Sequence, residues 1–137
     1  QYLPVGAFIT AYARAFTIRA SQRNYSRWVY SDTDSCYMLG LEPVEGMEVD
    51  DYKLGAWKRE HVFTRIKALR AKTYVIETDD GEQIVHCAGM PTKCHDQVTF
   101  DNFVYGGTFT GKLKPRDVPG GVVLEETTFT IAKETKI

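Results

Sequence analysis

The apolar residues Val5, Phe8, Ile9, Tyr12 and Phe16 recur at intervals of three and four, which places them on one face of a helix. Pro4 falls in the first turn, where its missing N–H costs nothing, and Ala7, Ala11, Ala13 and Ala15 favour the helical state. The spacing predicts a helix ending near Asn24. "RWVY" and "CYML" then supply short runs of aromatic and β-forming residues, which predicts an antiparallel pair on either side of an acidic tip. "GLEPVEGMEVD" reads as a polar connection, interrupted by Pro43 and Gly46. "KLGAWKRE", "VFTRIKALRAKTYVIET" and "EQIVHCAG" read as strands of one antiparallel sheet, with a hairpin turn in "TDDGE" at Asp80 and Gly81. After Met90 the pattern changes. "PTKCHDQVTFDNFV" has helical spacing at Cys94, Val98 and Phe103, and "YGGTFTGKLKP" with "VPGGVVLEETTFTI" predicts a ribbon turned at Pro119, Gly120 and Gly121. The expected fold is α+β: a long N-terminal helix packed on an antiparallel sheet over residues 1–90, then a smaller part over 91–137 with a short helix and a β-ribbon.

At 137 residues and 43% hydrophobic, the chain can bury a core of its own. No apolar run approaches the roughly 18 residues of a membrane span, and the N-terminus lacks the pattern of an export signal, so membrane and secretion are not expected. The chain opens at Gln1 on an apolar, proline-containing stretch and reads as a piece of something longer. Cys36, Cys87 and Cys94 cannot all pair internally and show no C-x-x-C spacing, which suits a reducing cytoplasm. "HCAGMPTKCH" sets His86, Cys87, Cys94 and His95 in a zinc-like array, but adjacent residues on a strand point to opposite faces, so one site could hardly use all four.

The net charge of −1 hides an uneven distribution. Glu42, Glu45, Glu48, Asp50 and Asp51 form an acidic run without a base. Lys53, Lys58, Arg59, Arg65, Lys67, Arg70 and Lys72 follow, against Glu60 alone. Such a run is either a phosphate-binding face or a solvated strand surface.

The acidic tip carries the sharpest chemistry. Asp32 and Asp34 are two positions apart, so on extended backbone both project to one side while Thr33 points away. Two carboxylates so close repel unless something positive joins them, and hard oxygen donors suit Mg²⁺ or Mn²⁺. The bland alternative is a turn in which both side chains satisfy local amides. An EF-hand loop would continue with further oxygen ligands and a glycine, but Cys36, Tyr37 and Met38 follow. An aspartic protease would need glycine in place of Asp34. "GGTFTGKL" meets part of a phosphate-loop pattern, yet Leu113 stands where Ser or Thr is required and Pro115 disfavours a helix there. In "RAKTY", a strand would set Lys72 and Tyr74 on one face, about 7 Å apart, within reach of one nucleic-acid backbone.

Taken in order, "YSDTDS", "KLGAW", "RAKTY", "CAGM" and "VPGGVVLEETTFTI" resemble the C-terminal part of family B DNA polymerases, and within them the protein-primed branch of small linear-genome bacteriophages. The resemblance spans nearly the whole chain. It implies that residues 1–90 are the C-terminal part of a polymerase palm and 91–137 a thumb. It implies that Asp34 is the main ligand of two catalytic Mg²⁺ or Mn²⁺ ions, with Asp32 in support. It casts Lys72 and Tyr74, with Thr73 and Arg70 beside them, as contacts to the primer strand, and Lys53 as a backbone contact near Trp57, whose own role is packing. Lys112, Lys114 and Arg116 would face duplex phosphates. The implied partners are primer-template DNA, deoxynucleoside triphosphates and a terminal priming protein, in the cytoplasm of a bacterial host. The family's upstream aspartate, its triphosphate-binding lysine and its exonuclease do not precede Gln1, so the isolated chain is expected not to extend primers. Two rivals stand beside this reading: a non-catalytic nucleic-acid-binding module and a domain that docks a priming protein.

Overall fold

The computed structural model describes residues 3–133. They form one long helix and three small antiparallel sheets, an α+β arrangement as expected. The chain divides into two compact units, residues 1–61 and 62–137.

In the first unit, helix α1 runs Leu3–Arg23. Asn24 stops it: the amide Nδ2 donates to the Ala20 carbonyl at 2.9 Å and to the Glu45 carbonyl at 2.9 Å, while Oδ1 accepts the Glu45 N–H at 3.0 Å. One side chain thus satisfies the helix end and pins the acidic connection beneath it. The helix buries Thr17 and Ala20, but its apolar stripe lies largely open, with Leu3 81%, Phe8 76% and Tyr12 74% exposed. Phe16 is the stripe residue with a clear aromatic partner, stacking on Trp57 at 5.4 Å.

Strands β1 (Trp28–Asp32) and β2 (Ser35–Met38) form the predicted hairpin, closed by the two-residue tip Thr33–Asp34. The register slips by one residue at Val29, a bulge that increases local twist. Arg27 organises the connection that follows. Its guanidinium donates to the carbonyls of Leu39 (2.7 Å), Glu42 (3.0 Å), Gly40 (3.2 Å) and Pro43 (3.3 Å), and pairs with the Glu42 carboxylate at 3.5 Å.

"KLGAWKRE" does not form the strand its sequence predicts. Residues 51–56 are bends and turns, and Trp57 makes a single bridge to Val49. The reason is local: the Asp50 carboxylate accepts the N–H groups of Tyr52 and Lys53, both at 2.8 Å, and that turn is incompatible with extended backbone. Those bonds hold the Asp50 carboxyl below its usual pKa.

In the second unit, β3 (Phe63–Arg70), β4 (Thr73–Thr78) and β5 (Gln83–Cys87) form a meander with β4 in the centre. The single long strand expected over 62–78 is instead two, folded back at Ala71 and Lys72. Lys72 takes the left-handed conformation, φ 55°, and its carbonyl accepts the Ala88 N–H at 2.8 Å. Five of the six β4 residues are buried. A 3-10 helix, Thr92–Gln97, follows, and then the ribbon of β6 (Thr108–Val118) and β7 (Gly121–Thr130).

One core joins these elements: Val75, Val85, Cys87, Met90, Cys94, Val98, Phe103, Phe109 and Ile131. Cys94, Val98 and Phe103, the residues with helical spacing, all point inward, although the regular helix is only a 3-10 segment. Residues on both sides of Pro91 share this core, so the expected functional division at that residue is not a break in packing. Cys87 and Cys94 are free thiols buried in this core, and no cluster of three or more His, Cys, Asp or Glu side chains that could hold a metal occurs among the described residues.

Candidate active site and nucleic-acid surface

The tip is built from three gripped groups of one residue. The Asp32 Oδ1 accepts the Thr33 N–H at 2.7 Å and the Thr33 hydroxyl at 3.1 Å, and the Thr33 carbonyl accepts the Thr17 hydroxyl of α1 at 3.0 Å. Asp32 is half-buried and ends β1 opposite Ser35. Asp34 is exposed, in the turn itself, and no hydrogen bond or ion pair engages its carboxylate among the described residues. Strand alternation therefore does not relate the two acids, as the sequence suggested. The local-turn reading holds for one oxygen of Asp32 and leaves Asp34 uncommitted. Behind the tip, Ser21 Oγ lies 3.4 Å from Cys36 Sγ, and burial pushes the Cys36 thiol above its usual pKa, a push the Ser21 hydrogen bond partly offsets.

Lys53, in the same unit, is exposed and paired with Glu48 at 2.6 Å. An exposed pair of this kind is worth little and yields to a competing phosphate.

The second unit holds the remaining candidates. Thr73 is wholly buried and Tyr74 is 7% exposed, its ring stacked on His86 at 4.9 Å. Lys72 stands exposed in the turn rather than on the strand, so the shared-face geometry expected for Lys72 and Tyr74 does not occur. Arg70 pairs with Thr73 at the same hairpin, and its Nε is buried without a hydrogen-bond partner among the described residues. Two other bases of the sequence run have partners within the chain. Lys67 Nζ donates to the Phe100 carbonyl at 2.6 Å, and Arg65 lies 4.2 Å over the Phe100 ring while pairing with Glu77.

The ribbon is two-faced. Lys112, Lys114 and Arg116 alternate along β6 and share one face, with Glu125 and Val123 opposite Lys114 and Arg116. Leu113, Pro115, Leu124 and Val122 lie on the other. All three bases are exposed, and Arg116 pairs diagonally with Glu125 at 3.2 Å. A bulge after Thr110 sets this alternation. Gly111 is required there, since a Cβ would fall 2.5 Å from the Thr127 hydroxyl that bonds the Lys112 carbonyl.

No protein-family model matches the chain. Across 95% of its length it is 45% identical to the DNA polymerase of Bacillus phage B103 and 44% identical to that of Bacillus phage phi29. The chain is homologous to the phi29-type phage DNA polymerases. It is also 36% identical to the DNA polymerase of Streptococcus phage Cp-1. The chain spans 26% of the length of the two Bacillus phage polymerases. The solved phi29 DNA polymerase complexed with primer-template DNA and incoming nucleotide substrates superposes with a TM-score of 0.82 at 44% identity, again over 95% of this chain and 26% of that one. The phi29 polymerase bound to single-stranded DNA gives a TM-score of 0.79.

Sequence reasoning placed the helix end near Asn24 but missed the hydrogen bonds that Thr17, Asn24 and Arg27 make to carbonyls distant in the chain. Thr17 had one visible mark: a hydroxyl in a helix otherwise rich in alanine and aromatic residues.

Proposed function

We propose that this chain forms part of a template-directed DNA polymerase, with residues 1–90 in its palm and 91–137 in its thumb, and that Asp34 is the acid around which nucleotides are joined. One observation carries the proposal: the tip presents an exposed carboxylate, Asp34, that no group neutralises among the described residues, next to a Thr33 whose N–H, hydroxyl and carbonyl are all held. Hard oxygen donors fit a divalent cation, and Asp34 with the remaining oxygen of Asp32 would hold one side of a site for two Mg²⁺ or Mn²⁺ ions. Bound there, such ions would activate the primer hydroxyl and stabilise the departing pyrophosphate. The chain's own contributions are then distinct. Asp34 supplies fixed charge, Asp32 holds the turn, and Lys72 offers a cation to the primer backbone from its exposed turn. Tyr74 and Thr73 shape that turn from within the sheet. Lys112 and Lys114 offer duplex phosphates a grip that does not read sequence, with Arg116 released from Glu125 on binding. The homology to polymerases seen with primer-template DNA and nucleotides supports this assignment.

In the intact polymerase carrying this chain, Asp34→Asn is expected to lower primer extension by about a hundredfold or more while leaving duplex binding within about twofold, the pattern of an interaction made in the transition state. Extension within about twofold of the unsubstituted enzyme would refute the role.

A further inference from the structure

Thr17 is 6% exposed, sixteen residues before the tip. Its hydroxyl lies 3.0 Å from the Thr33 carbonyl and 3.2 Å from the Ala13 carbonyl of its own helix. One hydroxyl has one proton, so the two acceptors compete, and the shorter contact is the one that crosses to the hairpin. The Thr33 carbonyl belongs to the peptide that carries the Asp34 nitrogen, and its plane sets the direction in which Asp34 departs. The N–H and hydroxyl of the same threonine are already held by Asp32. One turn further along α1, Ser21 meets Cys36 on β2, so the helix braces the hairpin at two successive turns of one stripe.

We propose that Thr17 is a positioning residue: its hydroxyl fixes the Thr33–Asp34 peptide and thereby aims the Asp34 carboxylate. The inference rests on the reading of Asp34 given above. Its rival is a helix hydroxyl bonded back to Ala13, as serine and threonine often are, which would have no effect on the tip.

Thr17→Val keeps the volume and removes the hydroxyl, and Thr17→Ser keeps the hydroxyl. In the intact polymerase, Thr17→Val is expected to lower kcat about ten- to a hundredfold with KM for the nucleotide within about twofold, because a misaimed group costs turnover rather than binding. In the metal-free protein, amide hydrogen exchange over residues 31–36 is expected to quicken about tenfold, the loss of one tethering bond. Thr17→Ser should restore both. Unchanged kcat and exchange in Thr17→Val would overturn the proposal, and so would a Thr17→Ser enzyme as impaired as Thr17→Val. Asp34→Asn, measured alongside, separates the two layers. If it leaves turnover intact, the reading of Asp34 fails; if it abolishes turnover while Thr17→Val is silent, only the role of Thr17 falls. Should Thr17→Val lack a cooperative melting transition, Thr17→Ala carries the same expectations.

Discussion

Single side chains decide what the tip can do. Asp32 spends one oxygen on the Thr33 amide and hydroxyl, whereas Asp34 spends none within the described residues. The two acids are therefore unequal, and Asp32→Asn, which can still accept the Thr33 N–H, is expected to cost turnover less than Asp34→Asn. Steady-state primer extension by the two variants checks the order, and equal losses would contradict it. Cys36 reports on the same region. Burial raises its pKa, so the neutral thiol is favoured in the folded state; that contribution to stability is present below the unfolded pKa and is lost as pH rises through the folded one. Alkylation of Cys36, followed by mass spectrometry across pH, should show a midpoint above the roughly 8.5 of a free thiol, and Ser21→Ala should move it higher still. A midpoint at or below that value would count against the packing of Cys36 behind the tip.

Elements differ in how far their sequence announces them. Helix α1, the hairpin and the ribbon follow from periodicity and turn residues, because each is stabilised within its own span. The failures came where a hydrogen bond that the hydrophobic pattern does not encode intervened. Asp50 captures the N–H groups of Tyr52 and Lys53 and so removes the strand expected at "KLGAW". Lys72 adopts the left-handed conformation although lysine has no preference for it, because the carbonyl it turns inward accepts the N–H of Ala88, sixteen residues on and just past the end of β5. That turn was invisible in "ALRAKTY", which contains neither glycine nor asparagine. The acids of the tip were legible as chemistry, but their inequality was not, since it depends on which oxygen the next residue captures. On the ribbon, the shared face of Lys112, Lys114 and Arg116 makes a graded prediction. Lys112→Ala and Lys114→Ala should each lower the salt dependence of duplex binding by about one unit of slope, as one phosphate contact is lost. Arg116→Ala should do less, because Glu125 already engages the guanidinium. Binding isotherms over a range of salt concentrations measure this, and unchanged slopes for both lysine variants would remove the ribbon from the DNA-binding surface.

At the scale of the whole molecule, the chain is two compact units, and the hydrophobic core of the described residues lies in the second. The second unit depends on one core that includes Phe103, fully buried, so Phe103→Ala should destabilise it by about 3–5 kcal/mol, as large-to-small changes in closed cores do. The first unit leaves the acidic tip and the early turns of α1 exposed, and the chain spans 26% of the length of the Bacillus phage B103 polymerase. Whether that tip gathers divalent ions is answered by Mn²⁺ titration of the chain, followed through paramagnetic loss of backbone amide signals. At millimolar Mn²⁺ the signals of Thr33, Asp34 and Ser35 should fade, and Asp34→Asn should preserve them. Tip signals that stay sharp at that concentration, while those around Asp50 and Asp51 fade, would contradict the assignment of Asp34 as a metal-binding acid.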